Sequence, residues 1–216
     1  MGDYDVLILA VYLICVAYVV YQAIDSLEDQ ATIRLDQESL KSQLEAQGLQ
    51  DLVQIQVGLK PRYQFEQLYN LTLSIRNAFP DTPIYVDWDQ SSLTSFKGRS
   101  RRVIRLTPSM ALDLFQAQAP SVISPGYVLN ETVTAEDTLK GTPDSTVLKV
   151  AAPLIDLAIA KKLPLNKTLE FYLRLVLRRI EPTGRPGETI NHALLCKFIV
   201  KRLPWSYSLP WNLKKG

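Results

Sequence analysis

Leu169-Glu-Phe-Tyr-Leu-Arg-Leu-Val-Leu177 decides the fold class, because Leu169, Phe171, Leu173, Leu175 and Leu177 recur at every second position. A period of two puts all five side chains on one face of an extended strand. Leu194-Leu-Cys-Lys-Phe-Ile-Val200 repeats the pattern with Leu194, Cys196, Phe198 and Val200. Between them lies the Pro/Gly-rich stretch Glu181-Pro-Thr-Gly-Arg-Pro-Gly-Glu188, so the two segments read as one long antiparallel hairpin.

The same alternation runs upstream. Val53, Ile55 and Val57 alternate with glutamines, and Leu71, Leu73 and Ile75 alternate with Thr72, Ser74 and Arg76. Ile84, Val86 and Trp88 point opposite to Tyr85, Asp87 and Asp89, and Arg102 to Leu106 forms a further strand. Pro125-Gly126 marks a tight turn between Val122–Ile123 and the strand Tyr127 to Thr134. Ala151 to Lys162 fits either a strand or a short helix. About eight short strands with few helices predict an all-β fold, an antiparallel β-sandwich over residues 51–216. Phe171, Leu173, Leu175, Val86, Trp88, Leu73 and Ile75 are expected to share its core.

Two helices precede the sandwich. Val6 to Ile24 is an uncharged run of 19 residues, which at about 1.5 Å per residue nearly matches a hydrocarbon core of roughly 30 Å. It predicts one transmembrane anchor over residues 1–25, with Tyr4 and Tyr21 near its ends where interfacial aromatics belong. A cleaved signal peptide fits less well, since Met1 to Asp5 carries two aspartates and no Lys or Arg. Residues 26–50 read as a juxtamembrane linker holding a short amphipathic helix, Gln37 to Gln47. Asp36 caps its start, Leu40 and Leu44 mark its apolar face, and Gly48 stands at its end.

Arg34 and Lys41 follow the anchor and no basic residue precedes it, which places the large domain in the cytoplasm by the positive-inside rule. Against this stand three Asn-x-Thr triplets, at Asn70, Asn130 and Asn166, which would accept glycans in a eukaryotic secreted domain. The net charge of +2 conceals a strong polarity. Residues 1–96 hold 5 Lys/Arg and 13 Asp/Glu, while residues 97–216 hold 19 and 9. Such a distribution suits a basic face turned toward anionic lipid or an acidic partner, unless the strands interleave and cancel it.

The chemistry-bearing residues are sparse. Cys15 falls in the anchor and Cys196 in an apolar strand, so neither a disulfide nor a thiolate metal site is expected, and one histidine, His192, excludes His-rich metal sites. Asp87 and Asp89 share a strand face and suit calcium or acid–base work. Arg99, Arg101, Arg102 and Arg105 lie near enough to pair with them across a hairpin instead. We therefore assign no catalytic, cofactor or metal residue. The contact candidates are Lys97, Arg99, Arg101, Arg102 and Arg105 in the basic run Lys97 to Arg105, which also suits a charged strand edge. Nucleic acid is not expected as a partner, because the run lacks interleaved aromatics for base stacking. Trp205 and Trp211 in Leu203-Pro-Trp-Ser-Tyr-Ser-Leu-Pro-Trp-Asn212 are further candidates, for a protein partner or the membrane interface.

The segments Pro83-Ile-Tyr-Val-Asp-Trp-Asp-Gln-Ser-Ser-Leu93, Gly98-Arg-Ser-Arg-Arg-Val103 and Ser121-Val-Ile-Ser-Pro-Gly126, with the closing Leu203-Pro-Trp and Leu209-Pro-Trp-Asn212, carry a resemblance. Over most of the region after the anchor the chain resembles uncharacterised membrane-anchored β-sandwich proteins of cyanobacteria. The resemblance implies a fold and a thylakoid or plasma-membrane address, and it transfers no active site. The function expected is a single-pass accessory, assembly or scaffolding component of a larger membrane complex, acting by protein–protein contact. A lumenal or periplasmic ligand-binding sandwich and an enzyme of unrecognised type are the alternatives. Oligomeric state is left open.

Overall fold

Residues 3–27, 30–63, 67–107, 116–142, 145–180 and 189–204 are described by the computed structural model. The hairpin forms as the alternation predicts. β10 (Thr168–Ile180) and β11 (Thr189–Leu203) pair antiparallel from Thr168↔Lys201 to Ile180↔Thr189, with Phe171 opposite Phe198 and Leu173 opposite Cys196. The two phenylalanine rings stack with centroids 4.6 Å apart, and Phe96 meets Phe171 edge-on at 5.9 Å.

Around the hairpin one antiparallel sheet folds onto itself. Its members are β1 (Gln30–Leu35), β2 (Val53–Gly58), β3 (Leu71–Asn77), β4 (Ile84–Thr94), β5 (Ser100–Arg105), β6 (Ser121–Ile123) and β7 (Val128–Ala135) beside β10 and β11. The order is β1-β11-β10-β4-β5-β7-β3-β2, with β6 on the flank of β4. The turn between the two layers is made by β5. Ser100 to Arg102 pair with Thr94 to Ser92 of β4, whereas Val103 to Arg105 pair with Ala135 to Val133 of β7. Every one of the seven residues expected in a shared core lies in one buried cluster, with Val86, Trp88, Phe171 and Ile75 fully enclosed. Beyond β7, β8 (Leu139–Thr142) and β9 (Ser145–Val150) form a separate two-stranded ribbon.

α1 (Asp3–Leu27) covers the apolar run, and its window Tyr4–Ala23 is long and apolar enough to cross a membrane. None of that window is buried against the rest of the chain. The stretch read as a linker differs from expectation, because β1 lies inside it and pairs with the last strand, Gln30 with Leu203 and Leu35 with Phe198. The cause is legible in hindsight: Ala31 and Ile33 are buried in the common core, and apolar burial ties a segment to the domain whatever its distance in sequence.

α2 (Gln37–Ala46) forms where it was expected, with Asp36 Oδ1 accepting from Ser39 N at 3.1 Å and Gly48 at φ 66° just beyond its end. It packs on the domain rather than standing apart, with Leu40 in the core. The outer edge of β11 is paired by β1 only from Phe198 onward. Further up that edge, the Gln43 amide donates to Leu195 O at 3.0 Å and accepts from Leu195 N at 2.8 Å, and Gln47 donates to Ala193 O at 3.0 Å. The helix thus satisfies backbone groups that a missing strand would otherwise have met. The segment left open between strand and helix ends in α3 (Ala158–Lys161), one turn of helix.

Candidate functional site

The basic run splits into an inward and an outward part. Gly98, at φ 75°, turns the chain between β4 and β5, with Gly98 N on Ser95 O at 2.9 Å and Ser95 N on Arg99 O at 3.0 Å. Lys97 and Arg99 stand exposed on this turn, and Arg99 reaches Asp137 only at 3.9 Å. The other three arginines are committed within the domain. Arg101, whose side chain is 10% exposed, donates to Asp137 Oδ1 at 3.1 Å and to Leu154 O at 2.7 Å. Arg102 embraces Asp89 Oδ1, its Nε at 3.1 Å, and also donates to Gln116 O at 3.0 Å. Arg105 donates to Ser121 Oγ at 2.8 Å and to Glu131 at 3.3 Å.

The corner in β5 explains this commitment. A strand that changes partner midway leaves backbone groups on its abandoned side, and Gln118 meets them. Its side-chain amide donates to Val103 O at 2.8 Å and accepts from Arg105 N at 2.9 Å. Its own backbone N donates to Asp89 Oδ2 at 2.9 Å. Val103 and Ile104 are consequently both buried, so the strand lacks the single solvent face that its alternation suggests. Burial by itself would raise the Asp89 carboxyl; the hydrogen bonds from Arg102 and Gln118 outweigh it and hold the group below its ordinary value.

Asp87 and Asp89 do not act as a pair. An irregularity in the β4–β10 register, where Arg174 faces Ser92 and Val176 faces Asp87, gives each carboxylate its own arginine. Asp87 meets Arg178 at 3.1 Å and Asp89 meets Arg102. Among the described residues no group of three His, Cys, Asp or Glu side chains could hold a metal ion. Burial pushes the Cys196 thiol up to about 12, far from a reactive thiolate. His192 is buried beside Gln47, and burial first, then Arg179, lowers its pKa below the ordinary value. Trp205 and Trp211 lie outside the described residues.

The register also assigns the two ends of the sandwich. α1 ends at Leu27 and β1 begins at Gln30, so an extended connection spans at most roughly 11 Å. The end next to α1 therefore holds the start of β1, the end of β11, the start of β10 and the turn through Lys97. Three clefts open there, of about 640, 260 and 420 Å³, with Lys60, Lys97 and Lys201 among their respective walls. At the opposite end the register gathers β6, the start of β7 and the end of β10. Its exposed apolar side chains are Val122, Tyr127, Val128 and Ile180, Tyr127 being 70% exposed.

Sequence reasoning found Lys97 and Arg99 but missed the exposed lysines at the end next to α1 and the apolar group at the far end. Neither forms a run in the sequence, and only strand register assembles them. No protein-family model, curated protein or solved structure matches the chain.

Proposed function

We propose that the chain is a single-pass membrane protein whose β-sandwich holds a protein partner at the membrane surface, as an accessory, assembly or scaffolding component of a larger membrane complex. The observation that carries this reading is the two-ended layout. An apolar helix with none of its span buried leads through two residues into an edge strand, and exposed apolar side chains collect at the opposite end. Exposed apolar side chains that gather in one region, rather than scattering singly, mark a docking site. The domain lies on the cytoplasmic side, with Arg34 and Lys41 after the helix and no basic residue before it. The resemblance to cyanobacterial anchored sandwiches supports a thylakoid or plasma membrane address.

Native electrophoresis after mild detergent extraction tests the reading. The full chain should co-migrate with a larger complex, and Tyr127→Asp with Val128→Asp should release it to monomer size. Migration of the unaltered chain as a free monomer in several mild detergents overturns the scaffold role. Protease treatment of sealed vesicles tests the side: digestion of the domain from outside inverted vesicles supports the cytoplasmic placement, and protection refutes it.

A further inference from the structure

The anchor end carries a lysine patch that no run in the sequence announces. Lys161 and Lys162 close α3, Leu165 and Lys167 follow in the turn that enters β10, and all four are exposed. Lys201 joins them, because it faces Thr168 of β10 on one side and Thr32 of β1 on the other. Leu165, Lys201 and Arg34 border a single cleft of about 420 Å³, so turn and strands form one surface. Among the described residues Lys162, Lys167 and Lys201 have no ion-pair partner. The acids nearest in sequence are engaged elsewhere: Asp156 accepts from Ala158 N at 3.0 Å at the start of α3, and Glu170 binds Lys197 at 2.8 Å and accepts from the Tyr172 hydroxyl at 2.6 Å. Thr32, beside Lys201, is five residues beyond the end of α1.

Resting on the membrane-tether reading, we propose that Lys161, Lys162, Lys167 and Lys201 seat this end of the sandwich on anionic lipid headgroups of the membrane that α1 crosses. Leu165, 50% exposed at the centre of the patch, then enters the headgroup layer. The charge pattern suits lipid better than a protein groove. Lysine is a strongly hydrated point charge on a flexible stem, which follows mobile phosphates without fixed geometry. Its attraction to an anionic leaflet acts within about a Debye length of the surface, roughly 8–10 Å, and the short connection keeps the patch near that range. The contact would fix the tilt of the domain and so aim the far end at its partner.

Amine acylation of the full chain in nanodiscs tests this. Lys162, Lys167 and Lys201 should react several-fold more slowly in discs containing anionic phosphatidylserine than in phosphatidylcholine discs, and the difference should vanish in about 0.5 M NaCl, where the Debye length shrinks below roughly 5 Å. Lys41, exposed on α2, should react equally in both. Carbonate extraction from proteoliposomes tests the tether separately. Retention with equal lysine reactivity in the two discs overturns the headgroup contact and leaves the tether standing. Extraction into the supernatant overturns the tether and this inference with it.

Discussion

Two groups of basic residues, Lys97 to Arg105 and the patch of Lys161, Lys162, Lys167 and Lys201, have opposite fates. The first is dense in sequence, yet three of its arginines face Asp137, Asp89 and Glu131 within the domain. The second is scattered over the end of α3, a turn and one strand, yet all four side chains are exposed. Residue chemistry matches the division. Planar arginines that fork between a carboxylate and a second oxygen are held where the sheet turns from one layer to the other, and flexible lysines sit where the surface faces water. Charge density along a chain therefore predicts surface charge only after the strands have shown what lies across from each residue.

The largest effect should come from removing the floor beneath the arginines. Trp88 is fully buried and donates through Nε1 to Ser121 Oγ at 2.9 Å, the same hydroxyl that receives Arg105. Trp88→Ala should cost about 3–5 kcal/mol, for the cavity and the lost transfer energy together. Chemical denaturation measures it. An unchanged midpoint would mean that the β4 face carrying Trp88 is not the floor of this corner.

Next comes the carboxylate at the centre of the inward group. Asp89→Asn should cost about 1–3 kcal/mol, because charge-assisted bonds from Arg102 and Gln118 become neutral ones. The pH dependence has a definite sign. The folded-state pKa of Asp89 lies below its ordinary value of 3.8, so its contribution is complete above that value and is lost as the pH falls through the folded-state value. Unfolding curves between about pH 5 and pH 2 should show this loss in the unaltered chain and a shallower one in Asp89→Asn. Parallel curves would remove Asp89 from the explanation.

Two glutamines test the same division at the sheet edges. Gln43 occupies both backbone groups of Leu195, and Gln118 occupies Val103 O and Arg105 N. Replacing either with alanine should cost about 1 kcal/mol, and the two losses should add, since the sites share no partner. Additivity well short of this would indicate that α2 and the corner are coupled through the core.

The strands, the turn at Gly126 and the start of α2 were legible because each depends on neighbours in sequence: an alternation, a φ angle, a cap. β1 and the ribbon of β8 and β9 were missed. In Gln30 to Leu35 the apolar Ala31, Ile33 and Leu35 alternate with polar residues as in the other strands, but the run is short and follows directly on the apolar helix, and its pairing with β11 shows it to be a strand. The site was less legible still. Arg101 is joined to Leu154 and Gln43 to Leu195 by contacts between residues far apart in the chain, and nothing in the local composition distinguishes these side chains from solvated ones. The irregularity at Asp87 was hidden for a similar reason. Ser91 Oγ accepts from Asp87's opposite neighbour, Val176 N, at 3.1 Å, a substitute for a ladder bond that no periodicity records.

The smallest effect on folding belongs to the outward group, and its smallness is the informative part. Lys162→Glu with Lys167→Glu should move the thermal midpoint by less than about 2 °C, as exposed substitutions without internal partners generally do. The matching reversal at Arg102 should lower it clearly, since it sets a second carboxylate against Asp89 and leaves Gln116 O without its donor. Measured together in detergent, where no headgroup charge contributes, the two variants isolate the internal electrostatics from any membrane effect. Equal losses would show that the lysine patch is braced within the fold like the arginines. Separation of the two means that the fold positions the lysines without depending on them, which leaves their charge available to whatever surface that end of the sandwich meets.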